Sequence, residues 1–296
     1  MVNSLPFAPP TSVSPFAAAT GPNVPVRVRI VSANLLHGMS LVTGESDIHE
    51  VVRALCDLEP DVLSIQEADA RQARSGGTEQ VRAIAEAAGL ENWRFVPAVV
   101  GTPGETWTAA QDFHVEGNGL PRVTHATYGV GLALRWPVQS WHVIRVDPFR
   151  FRTPVLIRGT NRLLWIVDEP RPCLVAVAVT PWGLTTFAAT HLSFVPGWNV
   201  LQLRRITKAL RAMPGPRVLV GDLNLPAALP AKVTGWESMA PKLPTFPAPD
   251  PKLQLDHVLL DRTRSQGRSF PASWSSEARQ LTFSDHRAVI VSVSGS

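Results

Sequence analysis

Cysteine, lysine and tyrosine are scarce in this chain, and charge of either sign is thin. Cys56 and Cys173 are the two cysteines among 296 residues; each sits in an apolar stretch, and neither belongs to a C-x-x-C pair. A cysteine-based zinc cluster and a disulfide framework are therefore excluded, and two buried reduced thiols are expected, with a single bridge as the alternative. No H-E-x-x-H helix motif occurs, which removes the commonest zinc-hydrolase signature. No apolar run reaches the roughly 18 residues that a membrane-spanning helix needs. Only four of the 28 basic residues are lysine (Lys208, Lys232, Lys242, Lys252) and Tyr128 is the single tyrosine. The basic surplus, +4 with an isoelectric point near 9.6, is thus arginine. Arginine suits phosphate because its fork donates two parallel hydrogen bonds, although an Arg- and Ala-rich genome would leave the same surplus.

What is present supports a sizeable core. Hydrophobic residues make up 45% and charged residues 18% of the chain, a length and balance suited to one large α/β domain. Residues 1–25 carry five prolines before Pro25 and neither the basic start nor the apolar core of a secretory signal. They read as a disordered, Pro-rich tail ahead of a domain over 26–296, and a cytoplasmic, monomeric protein is expected.

Periodicity places strands at Val26–Ser32, Asp61–Gln66, Trp93–Val100, Leu174–Thr180, Leu184–His191, Arg217–Gly221, Gln254–Leu260 and Ala288–Val293. Gly129–Arg135 and Val138–Val146 read as a pair turning at Trp136-Pro137, and Pro181-Trp182-Gly183 reads as a second hairpin. Helical spacing covers Ser46–Leu58, Thr78–Ala88 and Asn199–Ala212. Residues 101–127, 225–253 and 261–283 lack a period and are read as loops. Strands come both in hairpins and separated by helices. That mixture predicts two mixed sheets stacked together with helices outside.

Six stretches put polar, metal-capable groups at a strand end: Ser32-Ala33-Asn34, Gln66-Glu67, Thr190-His191, Asp222-Leu223-Asn224, Asp256-His257 and, just ahead of its strand, Ser284-Asp285-His286. If the strands share an edge, these side chains converge on one cleft, where α/β folds place their sites. In Asp222-Leu223-Asn224 the alternate side chains share a face, so Leu223 enters the core while both polar groups meet the cleft. Oxygen ligands suit a hard divalent ion such as Mg²⁺, and neutral histidine beside carboxylates suits proton transfer. Together they describe hydrolysis of a phosphate ester. Taken singly, the residues also fit turns or satisfied core positions. A carboxylate such as Glu67, following Val62-Leu63-Ser64-Ile65, would be costly to bury unpaired.

In order along the chain, VSANLLHG (31–38), DVLSIQEAD (61–69), YGVGLALRWPV (128–138), ATHLS (189–193), VLVGDLNLP (218–226), LDHVLL (255–260) and SDHRAVIVSV (284–293) resemble the endonuclease/exonuclease/phosphatase superfamily of deoxyribonuclease I-like fold, from Val28 to Val293. The resemblance implies a four-layer α/β sandwich and Mg²⁺-dependent phosphoester cleavage, with Mn²⁺ as a substitute. It implies a metal site at Asn34, Glu67 and Asp285. Among catalytic groups it implies Asp222 as the residue acting on water, Asn224 beside it, His286 on the scissile phosphate with Asp256 as its partner, and His191 in a phosphate-binding or acid role. The apurinic-site and inositol-phosphatase branches fit less well, because the chain lacks a Glu-Gly-Arg stretch and has Leu255-Asp256-His257 where the latter has Cys-Asp-Arg. A carboxylate supporting His191 is not evident; Glu105 and Glu116 are candidates. The arginine surplus favours nucleic acid as substrate, with a small or lipid phosphoester as the alternative and an inactive scaffold as a third reading. A continuous Arg-lined groove beside Glu67 would support nucleic acid, and an exposed Trp-rich rim would support lipid.

Overall fold

The computed structural model describes residues 2–4, 26–110, 115–118, 120, 124–157, 162–263 and 270–295. Two mixed sheets stack face to face. The eight-stranded sheet runs, edge to edge, Trp274–Arg279, Ala288–Gly295, Val26–Asn34, Val62–Ala70, Thr127–Leu134, Asn92–Gly101 and Trp107–Ala109, with Glu116–Gly117 also on the Asn92–Gly101 strand. The seven-stranded sheet runs Val2–Ser4, Val138–Val146, Arg171–Thr180, Gly183–His191, Arg217–Asp222, Asp256–Asp261 and Glu237–Ser238. The expected tail over 1–25 falls almost wholly outside the described residues; Val2–Ser4, at its start, pairs with His142–Ile144.

Three apolar layers hold the sheets. Ile30, Val62, Leu132, Leu174, Phe187, Val218 and Val291 meet between the sheets. Val31, Leu63 and Ile65 point the other way, onto the helices Ile48–Cys56 and Gln80–Ala87 through Val51, Leu55 and Ile84. Val175, Leu219 and Leu259 pack outward on the helix Trp198–Leu210 through Leu203, Ile206 and Leu210. Both faces of the central strands are therefore buried, which is why their sequences run apolar instead of alternating. The result is the expected four-layer α/β sandwich.

Each sheet contains one parallel pair, Val26–Asn34 with Val62–Ala70 and Gly183–His191 with Arg217–Asp222. A parallel pair needs a crossover, and a helix supplies it in both cases, Ile48–Cys56 and Trp198–Leu210. The register sets Asn34 against Gln66 and His191 against Asp222 at the carboxyl ends of these pairs.

Several sequence expectations are corrected. Thr127–Leu134 and Val138–Val146 do not pair with each other; they lie in opposite sheets. The chain changes sheet within three residues: the Arg135 amide still donates to Asp61 of the first sheet, while the Pro137 carbonyl already accepts from Val179 of the second. Trp136 fills the crossing, stacking on Phe187 and meeting Trp182 at a tilt. The presumed loops hold elements: strands Trp107–Ala109 and Glu116–Gly117, helix Leu229–Thr234 with strand Glu237–Ser238, and edge strand Trp274–Arg279. The last alternates half-buried and exposed residues, so its polar half conceals the strand.

Candidate active site

Strand Val62–Ala70 continues past Gln66, where the sequence ends it, through a bulge between Ile65 and Ala68. Glu67 sits in that bulge with a left-handed φ of 55°. Bulges re-aim side chains next to sites, and here the turned carboxylate faces the edge of the other sheet. Asn224 and Ser284 are also left-handed, at φ 49° and 70°. Three of the left-handed non-glycine residues thus lie at the same edge.

Asn34 joins the sheets. Its Nδ2 donates to Glu67 Oε1 at 3.0 Å and to Asp222 Oδ2 at 3.1 Å, while its Oδ1 accepts from the Leu36 amide. Asp222 Oδ2 lies 3.5 Å from His191 Nε2 and 3.7 Å from His286 Nε2, and Oδ1 accepts from the Asn224 amide. His286 Nδ1 is 2.8 Å from Asp256 Oδ2. Asn224 Nδ2 donates to the Leu192 carbonyl at 3.0 Å and lies 3.3 Å from His191 Nε2. With its hydrogens facing that carbonyl, Asn224 presents a donor to His191, so Nε2 accepts and the proton sits on Nδ1. Asp285 joins by charge, acting on both Glu67 and His286. All eight sequence-predicted residues thus converge at one edge.

Their electrostatics divide the two histidines. Burial lowers His191 well below the usual imidazole value, helped by the charges of Arg171 and His286. Burial would lower His286 too, but Asp256, Asp222 and the hydrogen bond to Asp256 outweigh it and raise the ring to about 10. At neutral pH His191 is neutral and His286 is a cation. Burial raises Asp222, and Asp256 and Glu67 add to this, whereas the His286 charge and the Asn224 amide oppose it. Burial likewise raises Glu67 against the Asn34 hydrogen bond.

Asp222, Asp256 and His286 offer atoms within 4.8 Å of one another. That trio does not read as a cation site, because a protonated His286 already bonded to Asp256 has no lone pair to give. Glu67 differs. Its hydrogen bond among the described residues comes from Asn34, which leaves acceptor capacity on the carboxylate. Glu67, with Asp222 and Asp285 near enough to act on it by charge, offers oxygen donors of the kind a hard divalent cation takes. Asn34, turning its NH₂ to both carboxylates, holds them apart and in place in this geometry.

Other residues frame the site. Ser284 Oγ donates to the Asn34 carbonyl and accepts from the His286 amide, pinning the His286 turn to the first strand. Phe246 packs on the His286 ring with centroids 4.9 Å apart. Arg171, fully buried, pairs with Asp168 at 3.1 Å and acts on Glu67 and His191 by charge. Its sequence signal is an arginine two residues after Asp168-Glu169, opening the apolar strand Arg171–Thr180. Tyr128 is buried with the Arg74 guanidinium over its ring and the Glu67 charge nearby. Glu116 pairs with Arg71 and Glu105 is exposed, so neither takes the role of supporting His191. Arg135 pairs with Asp61 away from the cleft, and His257 bonds the Leu225 carbonyl as a packing residue.

A model of the Endonuclease/Exonuclease/phosphatase family matches residues 31–286. Among solved structures the chain is similar to an endonuclease/exonuclease/phosphatase from Beutenbergia cavernae DSM 12333, at 17% identity and TM-score 0.59, covering 90% of this chain and 71% of that one. It is also similar to a humanized D. rerio TDP2 (16% identity, TM-score 0.53, 91% and 99% covered). A third likeness is to Sphingomyelinase C from Streptomyces griseocarneus (17% identity, TM-score 0.52, 90% and 99% covered). No curated protein matches the chain. With the family match reaching from the first sheet's central strand to the second histidine of the cleft, this chain belongs to the endonuclease/exonuclease/phosphatase family of phosphoester hydrolases.

Proposed function

We propose that the protein is a divalent-metal-dependent phosphodiesterase whose site is the cleft between Glu67, Asp222 and His286. The observation that carries this reading is the pairing of a cationic His286 with a neutral His191 on either side of one buried aspartate. Two titratable groups of one type pushed in opposite directions mark separate roles, charge stabilisation at His286 and an uncharged polar contact at His191. Proteins of this family generally depend on a divalent metal, and Glu67 with Asp285 would hold Mg²⁺ or Mn²⁺ here. When bound, the cation supplies charge neutralisation at the phosphoryl oxygens.

The protein's own groups do the rest. His286, charged and fixed by Asp256, presents Nε2–H to a non-bridging phosphoryl oxygen and stabilises charge as it grows there. Asp222, its affinity for protons raised by burial, accepts a proton from the attacking water near neutral pH as the P–O bond to the leaving group breaks, and the departing oxygen takes a proton from solvent. Asn34 holds Asp222 and Glu67 at fixed separation. His191, its Nε2 occupied by Asn224 Nδ2, stands beside Asp222 as a neutral polar wall; when substrate enters, Asn224 can turn that donor to the phosphate.

Nucleic acid was the substrate expected from the arginine surplus. Much of that surplus is bound in ion pairs within the fold: Arg29–Glu59, Arg71–Glu79, Arg74–Asp69, Arg135–Asp61, Arg217–Asp261 and Arg262–Glu237. Paired guanidinium groups do not track a phosphate backbone, which weakens the argument from net charge. An apolar group, Phe151, Leu163, Trp165 and Val167, is exposed, and it favours the second reading, a lipid phosphodiester.

The test is purified protein with Mg²⁺ against plasmid DNA, RNA, bis-p-nitrophenyl phosphate and sphingomyelin, alongside His286→Ala. Turnover of bis-p-nitrophenyl phosphate is expected to fall on the order of 10²–10⁴-fold in the variant, with the melting curve retained. Undiminished turnover in His286→Ala refutes the assignment. The natural-substrate arm showing cleavage fixes the class.

A further inference from the structure

Between Asp147 and Asp168 the sequence holds four arginines, Arg150, Arg152, Arg158 and Arg162, and no acidic residue. Within this stretch, the strands Thr153–Ile157 and Arg162–Ile166 pair antiparallel and belong to neither main sheet. Strand residues two apart share a face. Leu163 and Trp165 are such a pair, 54% and 60% exposed, and Val167, just past the strand's end, is 46% exposed. Pro154, opposite Trp165 in the register, is exposed as well. Phe151, at the strand pair's entry, is 70% exposed, and Arg150 and Arg152 beside it are exposed. Elsewhere among the described residues large exposed apolar side chains occur singly or, at Leu41 and Val42, as one pair; here five lie within 17 positions, counting Ile166. Clusters of that kind mark a contact surface.

The base of the strand pair is fixed. Buried Asp168 accepts from the Phe149 amide at 2.8 Å on one leg and from Arg171 at 3.1 Å on the other. Arg171 and Glu169 act by charge on Glu67, so this anchor adjoins the cleft. We propose that the strand pair is a docking element for an anionic lipid bilayer, seating the cleft at the membrane surface. Three features select the bilayer. Tryptophan and phenylalanine at an exposed edge suit the lipid–water interface. Arginines with no acid among them complement anionic headgroups. The face is also small: two five-residue strands present roughly 17 Å by 10 Å, far below the roughly 800 Å² per partner of a stable protein interface. That docking would serve cleavage of a lipid phosphodiester rests on the reading above; the docking itself does not.

The experiment is co-flotation of the full chain with vesicles of phosphatidylcholine alone and of phosphatidylcholine with phosphatidylserine. Wild type is expected to float with the phosphatidylserine vesicles and to be released by high salt. The double variant Leu163→Ala/Trp165→Ala is expected to lose about tenfold of the bound fraction, and Arg150→Gln/Arg152→Gln to lose the preference for phosphatidylserine. Hydrolysis of water-soluble bis-p-nitrophenyl phosphate stays at the wild-type level in both, with unchanged melting curves. Wild type remaining in the lipid-free fraction, or the apolar double variant floating like wild type, overturns the proposal. So does a wild-type dimer that the apolar double variant converts to monomer. Absence of bis-p-nitrophenyl phosphate turnover in wild type would remove the functional reading and leave the vesicle result standing.

Discussion

His286 concentrates the site's chemistry in one residue. Its ring is charged because Asp256 and Asp222 face it, with Asp285 adding to both, and they outweigh the cost of burial. A pKa raised from the ordinary 6.5 to about 10 has a definite sign. The stabilisation is present in full below about pH 6.5 and is lost as pH climbs through the folded value. The gap in unfolding free energy between wild type and His286→Gln is therefore expected to narrow steadily from pH 6 to pH 10 in urea titrations; a gap constant across that range contradicts the charged ring. The sequence made this residue legible because Ser284-Asp285-His286 stands directly before an apolar strand. It did not make legible that Asn34 turns its NH₂ to two carboxylates, nor that Asn224 is committed to Leu192 and His191. Which way a carboxamide points depends on partners 32 to 188 positions away. Arg171 escaped for the same reason, since its partners at the site come from other elements.

At the scale of elements, the two parallel pairs carry the site, and Gly221 lets the second one close. It has a φ of 151°, and a Cβ there would lie 1.9 Å from the Thr190 carbonyl oxygen on the neighbouring strand. His191 and Asp222 are the next register pair, so their approach depends on this contact. Gly221→Ala is expected to destabilise the fold by about 1–3 kcal/mol, as overpacking does, and to depress turnover beyond any loss of folded protein. Thermal melts with rates normalised to folded protein check this, and full specific activity in Gly221→Ala would show that the strand approach is not needed. Strand periodicity located most of these elements, because burial on both faces makes them plainly apolar. It failed at Trp136-Pro137, where a hairpin and a crossing between sheets share the same local pattern and only the long-range partners Asp61 and Val179 distinguish them. It stopped at Gln66 as well, because the bulge that aims Glu67 breaks the period of two.

At the scale of the molecule, two sheets each end a parallel pair at a shared edge, and every polar strand end read from the sequence arrives there. The four-layer arrangement followed from the mixture of hairpins and helix-separated strands. The surface did not follow: composition pointed to a basic, nucleic-acid-facing protein, whereas ion pairs occupy much of the arginine and the apolar strand pair stands exposed. Net charge counts residues without their neighbours, so it could not distinguish these. Among the described residues no helix is long and apolar enough to cross a membrane. The most direct measurement of the central claim is the rate of bis-p-nitrophenyl phosphate hydrolysis by wild type and Glu67→Gln, each across a Mg²⁺ titration after chelation. The account predicts saturable Mg²⁺ dependence in wild type and, with the fold intact, a loss on the order of 10²-fold or more in Glu67→Gln that added Mg²⁺ does not restore. Equal rates in the two proteins, or wild-type turnover indifferent to chelation and Mg²⁺, would contradict it.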